Sequence, residues 1–384
     1  MRVPAFTSTR SKRPHALFAG STGVPCRAVR SEGCMLWDAS GQAYVDMVMA
    51  LGAVGLGYAH PEVTAAVEHA ARGGVVASLS PVLEEEVADL LCSILPGAEQ
   101  VVFLKSGAEA VAAAVRIARA ATGRERVVTC GYHGWHDWCQ SDPAVPAAIR
   151  GLRSTIPFND VAAVTHAAEP GPPPAAFVVE PVVDGAPDPA WLAALRDVTA
   201  RHGSLLVFDE IKTAFRVALG GAAERWGVVP DLAVVGKALA NGFPLAAVAG
   251  PRDVMEAATR SWISSTLATE WVSLAAARAV IDTYRRDDVC GTLESIGRVW
   301  LDGLHELAAR YRDVVAAARG VPTMCYLEFV TERAGAAVAR AMAHRGVLFK
   351  RNAYNFVSAA HTAQLVGDVL GRLDGSLAEV EAAC

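Results

Sequence analysis

The chain has no cysteines in C-x-x-C pairs. Its eight, Cys26, Cys34, Cys92, Cys130, Cys139, Cys290, Cys325 and Cys384, are scattered through 384 residues. A chain of this length does not need disulfide staples to hold a core, so reduced thiols and a cytoplasmic setting are expected. Long apolar runs are missing too: charges or glycines interrupt every hydrophobic stretch short of the ~20 residues a membrane helix needs. The N-terminal MRVPAFTSTRSKRPHALF is basic but lacks the apolar centre of a secretory signal, so no membrane association is expected. Basic runs are absent as well. Lys+Arg number 35 against Asp+Glu 40, a net charge of −5, with the two signs interspersed. Such a surface does not track phosphates, which excludes nucleic acid as a partner. There is no internal repeat.

What is present is a large apolar fraction, 52%, in a chain longer than one compact domain usually holds. From about residue 60 to 280, short β-branched runs alternate with longer alanine-rich helical patterns, the signature of a parallel sheet covered by helices. The candidate strands are 101–104, 127–129, 177–179, 205–208, 232–235 and 246–248, and polar or glycine residues follow their C-terminal ends, where open α/β sheets place ligands. The loop Gly171-Pro172-Pro173-Pro174 introduces one of them. Residues 34–48 read as two strands around a turn at Asp38–Gly41. Beyond Asp287 the pattern becomes helix, a strand at 324–329, then helix. The expected organisation is 1–58 and 286–384 as a small α+β domain built from both chain ends, with 59–285 as a large α/β domain.

Two strand ends carry unusual charges. Leu205-Leu206-Val207-Phe208 runs into Asp209-Glu210, and Leu232-Ala233-Val234-Val235-Gly236 runs into Lys237. Burying either charge is costly without a partner. An aldehyde cofactor with a basic ring nitrogen answers both, since the lysine becomes a Schiff base and the aspartate hydrogen-bonds the protonated ring. Two segments alone do not separate this from a structural Asp209–Lys237 ion pair. Ser106-Gly107-Ala108 opens an alanine-rich helix, and free amides at a helix N-terminus suit a phosphate. Many helices begin with Ser-Gly for structural reasons alone. Gly131-Tyr132-His133-Gly134-Trp135-His136-Asp137-Trp138 concentrates aromatics after a strand; Tyr132 has a face to stack on a flat ring, and a packed aromatic loop is the plain alternative. His133-x-x-His136 with Asp137 has metal-like spacing, but it lies on a glycine-containing loop with no third ligand, and no metal is expected.

The run FDEIKTAFRVALGGAAERWGVVPDLAVVGKALANGFPLAAVAG resembles the core of class III pyridoxal-5'-phosphate (PLP) dependent aminotransferases, in their glutamate-1-semialdehyde aminomutase-like branch. WDASGQAYVDM (37–47), GLGYAHPEV (55–63), SGAEA (106–110), GYHG (131–134), EPV (180–182) and VSAAHT (357–362) extend the resemblance over almost the whole chain in the family's order. It implies the PLP-dependent transferase fold type I. It further implies that Lys237 forms the internal aldimine, Asp209 contacts the ring nitrogen, Tyr132 and Ile211 cover the two ring faces, and Ser106, Gly107 and Ala108 cradle the phosphate. His133 and Glu180 join the cofactor contacts. The family often has threonine where Ala108 stands. Thr266 resembles the residue that reaches the phosphate of a neighbouring subunit, which implies a homodimer with shared active sites.

Three departures bear on the reaction. Branch aminomutases have Ser-Trp-Gly-Pro at Ala50–Ala53, Glu-Ala-Gly-Phe at Ala353–Phe356, and often an asparagine after the segment Glu180–Gly185. An aminotransferase is therefore expected, moving an amino group from an amino-acid donor to a ketone or aldehyde such as an oxo-sugar, cyclitol or other secondary metabolite, with pyridoxamine phosphate as the alternate cofactor form. Trp262, Trp271 and the Tyr354-Asn355 pair are read as lining a roomy acceptor pocket. An aminomutase or epimerase acting at an amine-bearing carbon, and a non-catalytic PLP-fold binding partner, are the competing readings.

Overall fold

The computed structural model describes every residue except Met1, Ser21, Pro170, Asn352 and Cys384. Cys384, expected as a thiol, thus lies outside the described residues; the other cysteines are free thiols. The chain forms two compact units, Met1–Pro61 with Gly291–Cys384, and Glu62–Cys290. Among the described residues no helix is long and apolar enough to cross a membrane.

In chain order the first unit contributes β1 (Ala28–Glu32), β2 (Met35–Asp38) and β3 (Ala43–Asp46). The second contributes β4 (Gln100–Leu104), β5 (Val127–Cys130), β6 (Arg153–Thr155), β7 (Ala176–Val179), β8 (Leu205–Asp209), β9 (Leu232–Val235) and β10 (Ala246–Gly250). The first unit resumes with β11 (Val315–Val321), β12 (Met324–Phe329), β13 (Val347–Leu348) and β14 (Asn355–Phe356).

The second unit is built on a seven-stranded sheet ordered β4-β10-β9-β8-β7-β5-β6. From β9 to β6 every pairing is parallel. The sheet is thus mainly parallel, with β10 running antiparallel to both neighbours. Every residue of β5, β7, β9 and β10 is buried, as a sheet covered on both faces requires. Successive side chains alternate between those faces. Ala176 and Val178 join Val127, Val207 and Val234 under the helix Gly107–Thr122. Phe177 and Val179 point the other way, with Val128 and Phe208, against Trp191, Leu192 and Leu195 of the helix Pro189–His202. The first helix buries mainly alanines, which bring its axis close to the sheet. The second relies on Trp191, wholly buried; truncating it to alanine is expected to cost about 3–5 kcal/mol.

In the first unit the 34–48 segment forms the expected hairpin, with Met35 opposite Val45 and Trp37 opposite Ala43. Its turn is fixed by Asp38, whose Oδ1 accepts from the Ser40 and Gln42 amides at 2.9 and 3.1 Å, and by Gly41 at φ 86°. Where helix alone was expected between Asp287 and residue 324, the chain instead forms the helix Val289–Arg310 and then β11, antiparallel to β12. Its Val-Ala-Ala-Ala core has helical propensity, and pairing with β12 overrides it. Downstream of β3, Met49, Ala50 and Leu51 take left-handed φ values of 43°, 50° and 63°, a conformation costing about 1–2 kcal/mol per residue. Asp46 compensates: Oδ1 accepts from the Val48 and Met49 amides at 2.8 and 3.2 Å, and Oδ2 accepts from the Tyr58 hydroxyl at 2.7 Å. Ala50 and Leu51 line an apolar cavity of about 320 Å³, with Phe18, Leu36 and Phe349.

Candidate active site

The site lies in the second unit, at the C-terminal ends of β5, β7, β8 and β9. Asp209, the last residue of β8, is buried. No ion pair joins it to Lys237 among the described residues, so the structural pairing left open by the sequence is not what holds it. His133 holds it instead, with Nδ1 2.8 Å from Asp209 Oδ2. Among the described residues Oδ1 receives only the Ile211 amide, at 3.3 Å. A buried carboxylate with an acceptor position to spare is suited to a cationic N–H donor. The other ring nitrogen of His133, Nε2, is buried without a hydrogen-bond partner.

Lys237 follows β9 through Gly236. A side chain at Gly236 would meet Ile211 Cδ1 at 2.8 Å, so any larger residue there must push the Ile211 side chain aside. Lys237 itself sits at φ 47°, a left-handed conformation that a lysine keeps only where its surroundings over-determine it. Burial, reinforced by the ammonium of Lys212, pulls the Lys237 amine down to about 7, against the opposing carboxylates of Glu180 and Asp209. An amine so placed exists in both proton states at neutral pH, as a general base and acid must.

Glu180, just beyond β7, organises the aromatic loop after β5. Its Oε2 accepts the Tyr132 amide at 2.9 Å, and its Oε1 is 2.7 Å from Lys212 Nζ. A Cβ at Gly131, φ 100°, would fall 2.5 Å from that carboxylate, which explains the glycine before Tyr132. The Tyr132 side chain is 67% exposed and presents a free ring face. Gly134 is packed against Ala108, with 2.6 Å to a hypothetical Cβ.

Ser106 caps the helix Gly107–Thr122 in a reciprocal pair with Glu109: the Glu109 amide donates to Ser106 Oγ at 3.3 Å and the Ser106 amide to Glu109 Oε2 at 2.8 Å. The Ser106 amide is thus engaged by the capping box. The amides of Gly107 and Ala108 carry the anion-binding capacity of this helix end. Ile211 reaches across to Gly107, lying 3.1 Å from a Cβ built there, so it bridges the helix start and the Lys237 segment.

Thr266 is exposed in the loop before the helix Trp271–Asp287 and makes no hydrogen bond to the cluster; the single chain does not bring it into the site. Of the Tyr354-Asn355 pair, Asn355 is fully buried, with Oδ1 accepting the Lys350 amide at 2.8 Å and Nδ2 donating to the Lys350 carbonyl at 2.9 Å. Tyr354 packs edge-on against Tyr326. Trp262 is 89% exposed, and Trp271 packs on Gly73 and Gly74. His136 packs edge-on against Trp135.

Sequence reasoning missed three residues. Lys212 looked like one charge in a loop. Glu210 is fully buried, accepting from the Thr213 hydroxyl and from the Ala222 and Ala223 amides at 2.8 and 2.9 Å, and burial pushes its carboxyl up to about 7. Arg216 is fully buried, which lowers its pKa. The one signal for Glu210 was its position directly after a strand with two apolar faces.

Residues 18–363 match the family model described as Aminotransferase class-III. The chain belongs to the class III aminotransferase family. A relative among them, the glutamate-1-semialdehyde 2,1-aminomutase of Neisseria gonorrhoeae, is 33% identical over 93% of this chain and 92% of its own. The Chloroflexus aurantiacus aminomutase is 34% identical over 82% and 76% respectively. The solved structure of the PLP internal aldimine form of the FumI protein from Sphingopyxis sp. MTA144 superposes with a TM-score of 0.92 at 25% identity, over 99% of this chain and 94% of that one. A β-phenylalanine aminotransferase from Variovorax paradoxus gives 0.84 at 26% identity, over 94% and 90%. This class III chain therefore has the fold type I architecture and is an enzyme of that class with PLP as its cofactor. Its residues fit that group: a desolvated carboxylate with a free acceptor position, an amine near neutrality, an open aromatic face and two free amides at a helix start.

Proposed function

We propose that this enzyme is an aminotransferase in which Lys237 carries PLP and Asp209 pairs with the ring nitrogen. The observation behind this is that adjacent strands β8 and β9 end in a His133-anchored carboxylate and a depressed amine. Bound PLP supplies an electron sink that labilises bonds at an amine-bearing carbon. The chain's own residues do the rest. Asp209 holds negative charge against the ring nitrogen, Tyr132 and Ile211 cover its faces, and the Gly107 and Ala108 amides take the phosphate. Lys237 Nζ takes the proton from the donor's amine-bearing carbon and delivers it to the cofactor's former aldehyde carbon, not back to the donor, so that water releases the keto acid and leaves the cofactor in its amine form.

The acceptor is a ketone or aldehyde. Ala50-Leu51 stands where the aminomutase branch has Ser-Trp, which supports an acceptor other than glutamate semialdehyde, in the class of oxo-sugars, cyclitols or other secondary metabolites. The working form is a cytoplasmic homodimer in which Thr266 reaches the partner's phosphate site; its exposure supports this. The second reading, an aminomutase, is favoured by the curated relatives.

Incubation of the holoenzyme with an amino donor alone separates the two. Stoichiometric keto-acid release, with the cofactor left in its amine form, is expected of the aminotransferase. Intramolecular isomerisation without keto-acid release overturns it.

A further inference from the structure

Lys105 and Glu270 form an ion pair at the turn that opens the helix Gly107–Thr122, next to the Gly107 and Ala108 amides that remain to bind an anion. Lys105 Nζ lies 2.9 Å from Glu270 Oε1, with the two side chains only 16% and 9% exposed. Glu270 comes from 165 positions along the chain. It is the N-cap of the helix Trp271–Asp287, its carboxylate accepting the Val272 amide at 2.7 Å and the Ser273 amide at 3.0 Å. On the other side, the Lys105 and Ser106 amides donate to Glu109 Oε2 at 3.2 and 2.8 Å. The pair therefore ties the start of one helix to the start of another. Two residues of chain span at most about 7 Å, so the Lys105 backbone and the Gly107 amide share one turn.

Capping does not account for this pair. An N-cap needs only an acceptor, which serine, threonine or asparagine supplies without a charge. A mostly enclosed ion pair also adds little stability, because desolvation of both charges offsets their attraction. What Glu270 brings is a second carboxylate, beside that of Glu109, close to amides suited to an anion, and each carboxylate there repels an incoming phosphate. The Lys105 ammonium cancels one of the two.

We propose that Lys105 and Glu270 together set the affinity for the cofactor's phosphate: Lys105 is a positioning residue whose charge favours the phosphate, and Glu270 fixes that ammonium while moderating its attraction. This rests on the reading of Gly107 and Ala108 as the phosphate cradle. A purely structural tie weakens the site whichever partner is lost. Two opposed charges shift phosphate affinity in opposite directions.

The test is the binding of PLP, and of pyridoxal, which lacks the phosphate, to the cofactor-free full chain, followed by the absorption of the bound form. The ratio of the two affinities reads the phosphate contribution alone. Lys105→Met is expected to lower the PLP affinity about tenfold while pyridoxal stays within about twofold of the parent. Lys105→Arg keeps the charge and is expected to restore it. Glu270→Gln retains an acceptor for the Val272 and Ser273 amides and leaves the ammonium uncancelled, so PLP is expected to bind about threefold tighter or more, again with pyridoxal unchanged. A PLP-to-pyridoxal ratio that falls or stays the same in Glu270→Gln overturns the proposal, as does an unmoved ratio in a folded Lys105→Met protein. If Lys105→Met does not fold, Glu270→Gln decides by itself. A parent that binds PLP no better than pyridoxal sinks the phosphate cradle and this inference together, whereas a parent that prefers PLP, with ratios unmoved in the variants, sinks the role of Lys105 and Glu270 alone.

Discussion

His133 Nδ1 and Asp209 Oδ2 stand 2.8 Å apart, with neither side chain more than 4% exposed. The imidazole thus fixes the rotation of the carboxylate whose remaining oxygen is assigned to the cofactor. His133→Leu leaves Asp209 charged and unanchored in a dry site. A lost hydrogen bond to a buried charge costs about 1.5–3 kcal/mol, so kcat/KM is expected to fall about tenfold to a hundredfold, the upper end by the free-energy conversion of rates. Activity within twofold of the parent, with normal cofactor content, would count against the anchoring role.

Asp209→Asn removes the charge opposite the ring nitrogen while keeping the shape and the contact with His133. Preorganised electrostatic partners contribute about 3–4 kcal/mol. A rate loss of several hundredfold in single-turnover measurements is expected, against little change in thermal stability.

Lys237→Ala is expected to abolish turnover and the cofactor's covalent attachment, with an unchanged far-ultraviolet circular dichroism spectrum. Because residue 237 sits at φ 47°, Lys237→Gly is also expected to be more resistant to urea than Lys237→Ala, by about 0.5–1 kcal/mol. Equal midpoints and slopes for the two variants would show that the backbone there is not strained.

Glu210 is raised from an ordinary carboxyl value to about 7, so the folded protein keeps a proton that the unfolded chain releases near 4.5. The sign follows: the contribution is fully present below the unfolded value and is lost as pH rises toward 7. Glu210→Gln abolishes this slope. Plotted against pH, the stability of the parent relative to the Gln variant is expected to decline between about 4.5 and 7 and then level off. A flat difference over that window refutes the assignment.

If Thr266 acts across a dimer, Thr266→Ala weakens PLP binding about tenfold or more through one lost bond to a charged group. Mixing it with Lys237→Ala chains creates heterodimers with one wholly intact site, and activity at limiting PLP is expected to exceed the weighted mean of the parents. A simple average under demonstrated subunit exchange places Thr266 outside the partner's site.

The α/β architecture was legible in the sequence because strands buried on both faces must be continuously apolar: 205–208 and 232–235 stand out against the alanine-rich helices between them. The same rule exposed Asp209 and Lys237, since a charge at the end of such a run is expensive wherever the fold puts it. Direction was not legible. β10 reads like its neighbours yet runs antiparallel, because an apolar run carries no sign of its polarity, and β11 was hidden by alanines whose helical propensity yields to pairing with β12. Partnerships were not legible either. His133 meets Asp209 across 76 positions of sequence and Glu180 takes the Tyr132 amide across 48. Periodicity along one segment says which face a residue occupies; only the stacking order of β5, β7, β8 and β9 decides which charges share one dry space, and so turns Lys212 from one loop lysine among many into the ion-pair partner of Glu180.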